Sequence, residues 1–295
     1  MKVRKFAAID IGSNAIRLLT HNIIEEKGEK AKFKKSALVR VPVRLGEDAF
    51  TEGKISDRNI QRIVKSMKAF KLLMEVSGVE KYMACATSAM REASNGKEVI
   101  TLVAKESGVQ IELIDGKREA AIIASTDLKD VIQKEKSYLY IDVGGGSTEF
   151  TFFVNGKMQK SKSFKLGTVR LLNDTVAENT WSVLENWIKT YKKELSDVII
   201  IGSGGNINKL HKLSGRKEGQ AISYIWLRAQ YQFLDSLSYD ERISELGLNP
   251  DRADVIIPAT KIFLSAAKWV GATKIHVPKI GLSDGIIKTL YYSEE

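Results

Sequence analysis

Short apolar segments and polar turns alternate along the chain, and their order is repeated once. The segment KFAAID predicts a buried strand, the turn GSN follows it, and AIRLLTHNI predicts a second strand. From Ser137 the same order returns, because SYLYIDVGGG predicts a strand and a turn and TEFTFFVNG predicts the next strand. Aligning Asp10 with Asp142 superimposes the copies at an offset of 132 residues, close to half the chain. The pattern therefore predicts a duplicated α/β domain.

The remaining segments fill in each copy. Residues 56–78 predict an amphipathic helix that Ser56 can cap and Gly78 can end. In the first half, SALVRVPVRLG, KYMACAT and VQIELI are expected as strands, EVITLVAKESG as a helix, and the lysine-rich KGEKAKFKK as a hairpin turn. In the second half, KMQKSKSFKLG is expected as a strand, VRLLND and TWSVLENWIKTYKKEL as helices, and DVIIIGSGGNINKL as strand, loop and helix. PDRADVIIPATKIFLSAAKWVG is expected as one helix, and KIHVPKIGLSDGIIKTLYYS as strand, turn and closing helix.

Both turns have the residue types of an anion site. Small residues between two strands leave backbone N–H groups pointing outward, where phosphate oxygens can approach. Ordinary hairpin turns also favour Asn and Gly, but two copies, each beside a strand-end aspartate, favour phosphate binding. The positions expected to contact phosphate are Ser13, Asn14, Gly144, Gly145, Gly146 and Ser147.

Three carboxylates adjoin these turns. Asp10 and Asp142 end the first strand of each copy, where carboxylates beside bound phosphate are the expected holders of Mg²⁺, usually through water. Glu149 shares a strand face with Ser147, and it would repel a bound anion unless a cation or water lay between them. We expect Glu149 to hold Mg²⁺ or to orient an attacking water, whereas the aligned position in the first copy is Arg17.

The net charge of the chain indicates what kind of partner the protein could bind. The 295 residues carry 46 Lys and Arg against 36 Asp and Glu, a net charge of +10. This balance fits either an anionic partner or a solvated lysine-rich surface. Zinc-ligand spacing and the usual nucleic-acid-binding motifs are absent from the sequence, so binding to a specific nucleic acid is not expected. A polyphosphate-like anion fits the net charge as well as a nucleic acid does.

The expected cellular location is based on the absence of signal-peptide and membrane-span patterns from the sequence. The start MKVRKFAAID has no signal-peptide pattern, and no apolar run reaches the roughly 18–20 residues of a membrane span. The single cysteine, Cys85, cannot form an internal disulfide. A cytoplasmic protein without membrane association is expected, with a homodimer as a further expectation.

The motifs resemble a known family over nearly the whole chain. IDIGSNAIRLL and YIDVGGGSTEF resemble the two phosphate motifs of the acetate and sugar kinase, Hsp70 and actin superfamily. DIGSNAIRL, ATSAMREASN, DGKREA, DVGGGSTE, KLGTVRL, GSGG and GLSDG occur in the order found in exopolyphosphatases and guanosine pentaphosphate phosphohydrolases. The resemblance implies an α/β fold of two ribonuclease-H-like (actin-like ATPase) domains with an interdomain cleft. The expected domains are 1–117 and 118–282, with helix 283–295 packing back on the first.

The resemblance also implies site residues. Arg91 matches the arginine that holds phosphate in the family, and Glu119 matches the glutamate proposed as the base for the attacking water. Gly204, in IIIGSGG, falls where kinases of the superfamily hold adenosine and is taken as a substrate-binding position. Arg17 is expected either to contact phosphate or to pair with a local acid. Many relatives have a second glutamate at the position that Arg118 occupies in this sequence. The positive charge of Arg118 would lower the basicity of Glu119.

The implied activity is Mg²⁺-dependent release of terminal phosphate from inorganic polyphosphate. Cleavage of the 5′-phosphate of guanosine pentaphosphate is the alternative substrate for the same chemistry. A nucleotide-dependent kinase is a third alternative, and a non-catalytic sensor of polyphosphate or of guanosine alarmones, which the Arg118 departure favours, is a fourth.

Overall fold

The computed structural model describes residues 1–124, 126, 132–133, 135–195 and 197–293. The chain divides into two compact units, Met1–Thr126 with Leu282–Glu295, and Asp127–Gly281. The sequence instead predicts a domain boundary between residues 117 and 118. That position falls inside a helix that lies entirely in the first unit. Within the described ranges, no helix is long and apolar enough to cross a membrane.

The first unit is built on a five-stranded mixed sheet. Its strands are β1 (Lys2–Ile11), β2 (Ile16–Glu25), β3 (Lys32–Val41), β4 (Lys81–Ala86) and β5 (Ile111–Leu113). They lie in the order β3-β2-β1-β4-β5. β2 runs antiparallel to both of its neighbours, and β1, β4 and β5 are parallel.

Helices cover this sheet. They are α1 (Leu45–Thr51), α2 (Asp57–Val76), α3 (Ser88–Glu92), α4 (Gly96–Ser107), α5 (Gly116–Ala124) and the closing helix α13 (Leu282–Tyr292). Ser56 caps α2 by accepting the backbone N–H of Asn59, as the sequence predicts. The apolar face of α2, with Ile63, Met67 and Phe70, is buried in the core of this unit.

The second unit repeats the arrangement with one added edge strand. Its strands are β6 (Ser137–Val143), β7 (Thr148–Val154), β8 (Lys157–Phe164), β9 (Val198–Ser203), β10 (Ile222–Ser223) and β11 (Lys274–His276). The order is β10-β11-β9-β6-β7-β8, with β6–β7–β8 antiparallel and β6, β9 and β11 parallel. Among the described residues, the antiparallel edge strand β10 has no counterpart in the first sheet.

The helices of the second unit correct one prediction. They are α6 (Thr168–Leu172), α7 (Thr180–Lys192), α8 (Gly205–Leu213), α9 (Tyr224–Ser236), α10 (Tyr239–Ser244), α11 (Pro250–Ala253) and α12 (Ile256–Val270). The single helix predicted from Pro250 is divided into α11 and α12, because the chain turns at residues 254–255 before the apolar helix begins. This turn buries both Ala253 and Ile256 in the core.

The two sheets keep the predicted offset of 132 residues. β1 ends at Ile11 and β6 at Val143, while β2 begins at Ile16 and β7 at Thr148. In each sheet the first strand is central, with an antiparallel hairpin on one side and parallel strands on the other. This is the ribonuclease-H-like arrangement, so the predicted fold class is confirmed.

The lysine-rich segment is partly misassigned by the sequence. Lys32, Lys34 and Lys35 belong to β3, so the strand starts earlier than SALVRV and the turn is confined to residues 26–31. β3 is an edge strand whose first seven residues are mostly exposed. Charged side chains on such an edge discourage pairing with other chains, which accounts for part of the positive charge without a ligand.

The closing helix α13 is fixed to the first sheet by a buried acid. Asp284 is 8% exposed, and its Oδ1 lies 2.9 Å from Lys35 Nζ and 3.5 Å from His21 Nε2. Burial acts to raise the pKa of Asp284, but His21 and the Lys35 ammonium outweigh it and hold that pKa below its ordinary value of 3.8. A methyl group at Gly285 would lie 2.3 Å from the Ile122 carbonyl oxygen, so α13 also packs closely on α5.

Asp284→Asn is expected to lower the free energy of unfolding by about 1–3 kcal/mol at pH 7. Because the folded pKa of Asp284 is depressed, its contribution is complete above about pH 5 and is lost as the pH falls below 3.8. Urea unfolding of wild type and variant should therefore differ at pH 7 and converge toward pH 3. The exposed Asp235→Asn serves as the control, and a difference that did not shrink in acid would contradict this account.

Candidate functional site

The two glycine turns have the same backbone geometry. In the first turn (residues 12–15) the N–H of Gly12 donates to Ala15 O at 3.1 Å, and in the second (residues 144–147) the N–H of Gly144 donates to Ser147 O at 3.0 Å. These bonds join aligned positions, so the duplication extends to individual hydrogen bonds. The first turn follows β1, which is buried along its second half. The second turn follows β6, which is buried along most of its length.

The second turn is braced from behind by the start of α6. Its carbonyl oxygens accept from Thr168 N at 3.0 Å (Gly144 O) and Val169 N at 2.9 Å (Gly145 O). Arg170 Nε donates to Gly146 O at 2.7 Å. With the carbonyls held by the protein, the turn can present its amides, and the N–H groups of Gly145 and Gly146 have no protein acceptor among the described residues. This is the arrangement that an anion needs.

The bracing depends on a close approach that only glycine allows. A Cβ at Gly167 would lie 2.2 Å from Gly145 O, so any side chain there would push the two segments apart. Gly204 precedes α8 with φ of +107°, and a Cβ there would lie 2.9 Å from Val143 O and 3.4 Å from Asp142 Oδ1. Gly167 thus allows the close packing that braces the second turn, whereas Gly204 leaves space beside it.

The first turn is braced in the corresponding way. The N–H of Arg44 donates to Asn14 O at 2.9 Å, and the N–H of Gly46 donates to Ser13 O at 2.7 Å. These donors come from the start of α1, which follows β3 as α6 follows β8. The Ser13 hydroxyl is buried and hydrogen-bonded to Ser88 Oγ at 3.0 Å, so of the two predicted polar contacts of this turn Ser13 is directed toward α3.

Beside each turn, three residues align across neighbouring strands and form a strand-end row. In the first unit Asp10 pairs with Arg17, and Arg17 pairs with Arg40. In the second unit Asp142 pairs with Glu149, and Glu149 pairs with Ser163. The first row therefore has one acid and two bases, whereas the second has two acids and a hydroxyl. Like charges directly opposite each other destabilise a sheet, so a cation beside Asp142 and Glu149 would stabilise the second row.

Arg17 and Asp10 are joined within the first row. Arg17 Nη1 donates to Asp10 Oδ2 at 3.2 Å. Burial raises the pKa of Asp10, and the charge and hydrogen bond of Arg17 act against that rise. Of the two sequence alternatives for Arg17, pairing with a local acid is the one observed, and the Arg17 side chain is 33% exposed. Contact of Arg17 with phosphate and of Asp10 with Mg²⁺ stay predictions.

Glu149 is a buried carboxylate held by two hydroxyl groups. Its residue surface is 2% exposed. The hydroxyls of Ser147 and Ser163 both donate to Glu149 Oε1, at 2.7 and 2.8 Å. Hydrogen bonds to an ionised group are short and strong, so these two donors restrict the orientation of the carboxylate.

No cluster of three or more His, Cys, Asp or Glu side chains suited to a metal occurs in the described part of the chain. Mg²⁺, however, commonly takes only one or two carboxylates, with water and substrate phosphates completing its coordination. Asp142 and Glu149 provide two carboxylates on one sheet face, and the missing Cβ of Gly204 leaves room beside Asp142 Oδ1. These residues fit Mg²⁺ in that manner.

Arg91 has most of its donors available for a ligand. It lies at the end of α3, and its Nη1 donates to Ile114 O at 2.7 Å, which anchors the side chain. Within the described ranges its remaining guanidinium N–H groups have no protein acceptor. An anchored, half-buried guanidinium suits phosphate binding through a fork of N–H groups.

Glu119 lies in the first turn of α5 and is 8% exposed. The N–H of Arg118 donates to Asp115 Oδ1 at 2.7 Å, which caps the start of this helix. Glu119, Asp10 and Glu112 belong to one neighbourhood, because their charges, after burial itself, help to raise the pKa of Cys85 to about 12. Arg118 turns outward, with Nε 3.7 Å from Glu112 Oε1 and nearly half of its side chain exposed, so its ion pair is with Glu112.

Four residues near the turns escaped sequence reasoning. They are Ser88, Ser163, Gly167 and Arg170. The motif KLGTVRL contains Gly167 and Arg170 and indicates that this segment is functionally relevant. The sequence alone does not predict that the segment donates hydrogen bonds to the carbonyl oxygens of another loop. Ser163 lies one residue before a core phenylalanine in an otherwise exposed strand, and only the strand register reveals that it faces Glu149.

Comparisons of the sequence with known proteins identify relatives of this chain. A bifunctional 3-dehydroquinate synthase/phosphatase of Fusobacterium nucleatum is 30% identical over 298 residues, covering 92% of this chain, which spans 44% of that protein. Exopolyphosphatase 1 of Mycobacterium tuberculosis is 23% identical over 303 residues, covering 96% of this chain and 87% of that protein. Both are related along nearly the entire chain.

Solved structures show the same fold. An exopolyphosphatase from Cytophaga hutchinsonii superimposes with a TM-score of 0.85 at 23% identity, covering 98% of both chains. A Ppx/GppA protein of Aquifex aeolicus superimposes with a TM-score of 0.76 at 23% identity, covering 100% of this chain and 99% of the other. The model of the Ppx/GppA phosphatase family matches residues 23–294. Since this match covers most of the chain, the protein belongs to the Ppx/GppA phosphatase family of hydrolases, as its motifs predict.

Proposed function

We propose that this protein is a Mg²⁺-dependent phosphohydrolase that releases terminal orthophosphate from inorganic polyphosphate. The observation that carries the proposal is the second row, in which Asp142 and Glu149 lie opposite each other beside a turn that presents the amides of Gly145 and Gly146. A phosphate and a cation satisfy that arrangement together. Relatives named exopolyphosphatase support the choice of polyphosphate.

The chain's groups divide the work of the reaction. The turn amides and Arg91 bind phosphate oxygens and offset the charge that develops on the transferred group. Glu119 accepts a proton from water as the water oxygen attacks the terminal phosphorus. The bond from that phosphorus to the bridging oxygen breaks, and the shortened chain leaves with the bridging oxygen and its electron pair. Asp142 and Glu149 would hold Mg²⁺, which supplies charge neutralisation when bound.

Phosphate release is the direct test of this function. The purified protein is incubated with polyphosphate and Mg²⁺, and orthophosphate is measured over time, with guanosine pentaphosphate assayed in parallel. We expect faster release from polyphosphate and loss of activity with a chelator. Faster release from guanosine pentaphosphate would reassign the substrate, and tight polyphosphate binding without release from either substrate would favour a sensor. A cytoplasmic location and a homodimer stay predictions of the sequence.

Arg91→Ala is expected to raise the KM for polyphosphate by about 10- to 100-fold, because it removes charge-assisted hydrogen bonds to phosphate. Arg91→Lys should recover only part of this loss, since lysine keeps the charge but not the fork. The exposed Arg58→Ala is the matched control for net charge. Equal KM values in Arg91→Ala and Arg58→Ala would rule out the role assigned to Arg91.

A further inference from the structure

Ser163 occupies the third position of the second strand-end row. It is the β8 partner of Glu149, and its hydroxyl reaches the same oxygen, Oε1, that accepts from Ser147. The two donors come from different segments, since Ser147 belongs to the glycine turn and Ser163 to the neighbouring strand. A carboxylate oxygen held from two directions is more restricted in rotation than one held by a single donor.

The next pair along the same strands shows what a hydroxyl does there without a carboxylate. Thr151 pairs with Ser161, and their hydroxyls bond each other at 2.9 Å. Both pairs lie on the sheet face opposite the core residues Phe150 and Phe152, because strand residues alternate between faces. Ser163 therefore contributes little to core packing, and its distinguishing contact is with Glu149.

We propose that Ser163 is a positioning residue that orients the Glu149 carboxylate toward the cation or water it serves. This inference rests on the proposed function, in which Glu149 holds Mg²⁺ or orients the attacking water. With Oε1 engaged by Ser147 and Ser163, the direction of the remaining oxygen is set by the protein before the ligand arrives. Partners that orient a metal-binding carboxylate commonly change metal affinity or activity when they are removed.

The experiment compares Ser163→Ala with Ser163→Thr and Ser161→Ala in the full chain. Ser163→Ala is expected to raise the Mg²⁺ concentration for half-maximal phosphate release by about 10- to 100-fold, with a smaller change in the KM for polyphosphate. Ser163→Thr keeps the hydroxyl and should restore both properties, and Ser161→Ala should leave them unchanged.

A second readout does not depend on turnover. Mn²⁺ binding to the substrate-free protein is measured by titration calorimetry, and Ser163→Ala should bind about 10- to 100-fold more weakly than wild type. If wild type is active and Ser163→Ala matches it in metal response and Mn²⁺ affinity, the positioning role is overturned and the proposed function stands. If wild type releases no phosphate but Ser163→Ala still weakens Mn²⁺ binding, the proposed function fails and the positioning role stands. A wild type that neither releases phosphate nor binds Mn²⁺ overturns both.

Discussion

Glu119→Gln is expected to lower kcat for polyphosphate hydrolysis by about 10²- to 10⁴-fold, the usual contribution of a general base. Glutamine has nearly the same shape but cannot accept the proton of the attacking water. Affinity for polyphosphate should stay within a few-fold of wild type, because the proposed phosphate-binding groups are other residues, in the glycine turns and at Arg91. Single-turnover phosphate release measures the chemical step, and equilibrium binding of polyphosphate measures the affinity.

The position of Glu119 at a helix start calls for a matched control. Acidic residues in the first turn of a helix interact favourably with its dipole, so the substitution also removes a structural interaction. Glu98→Gln removes the same kind of interaction from the first turn of α4, where the side chain is exposed. Near-wild-type kcat in Glu119→Gln, or an equal loss in Glu98→Gln, would show that Glu119 is not the base.

Local patterns were sufficient to predict the central strands. β1, β2, β6 and β7 are continuous apolar segments separated by small-residue turns, so their ends were predicted closely and the offset of 132 residues survives in the structure. The edges were harder. β10 has only two residues, and its pairing with β11 is a contact across about fifty positions of sequence that no local periodicity reveals.

The sequence predicts which residues belong to the candidate site, but it does not predict which of them contact each other. Glycine turns, strand-end acids and family motifs point to Asp142, Glu149 and Glu119 as residues worth testing. That Arg17 donates to Asp10 follows from strand register, and the sequence left it as one of two alternatives. The bracing of the second turn by residues 167–170 depends on hydrogen bonds of 2.9–3.0 Å between segments about twenty residues apart, which local sequence patterns do not reveal.

The two rows differ in charge although the two copies align. In the first row the acid Asp10 is paired with Arg17, whose guanidinium offsets part of the effect of burial on the carboxylate. In the second row Glu149 takes the position of the arginine, and two carboxylates face each other across neighbouring strands. The aligned position therefore carries a cation in the first copy and a carboxylate in the second, so the two rows are not chemically equivalent.

Asp142→Asn and Glu149→Gln are each expected to lower kcat by at least about 100-fold, since each removes charge that would hold Mg²⁺ at the transferring phosphate. If both serve one cation, the double variant should be scarcely worse than either single variant. Independent roles would instead multiply to about 10⁴-fold. Phosphate release at saturating polyphosphate over a range of Mg²⁺ concentrations measures all four corners of this cycle.

Metal binding provides the corresponding equilibrium cycle. Mn²⁺ titration of the same four proteins should show weak binding in either single variant and no further loss in the double variant. Glu185→Gln, which removes a surface glutamate paired with Lys189 in the same unit, controls for net charge. Multiplicative losses in both rate and Mn²⁺ affinity would separate Asp142 from Glu149 and leave Glu149, with its two hydroxyl donors, as a residue that orients water instead of sharing a metal.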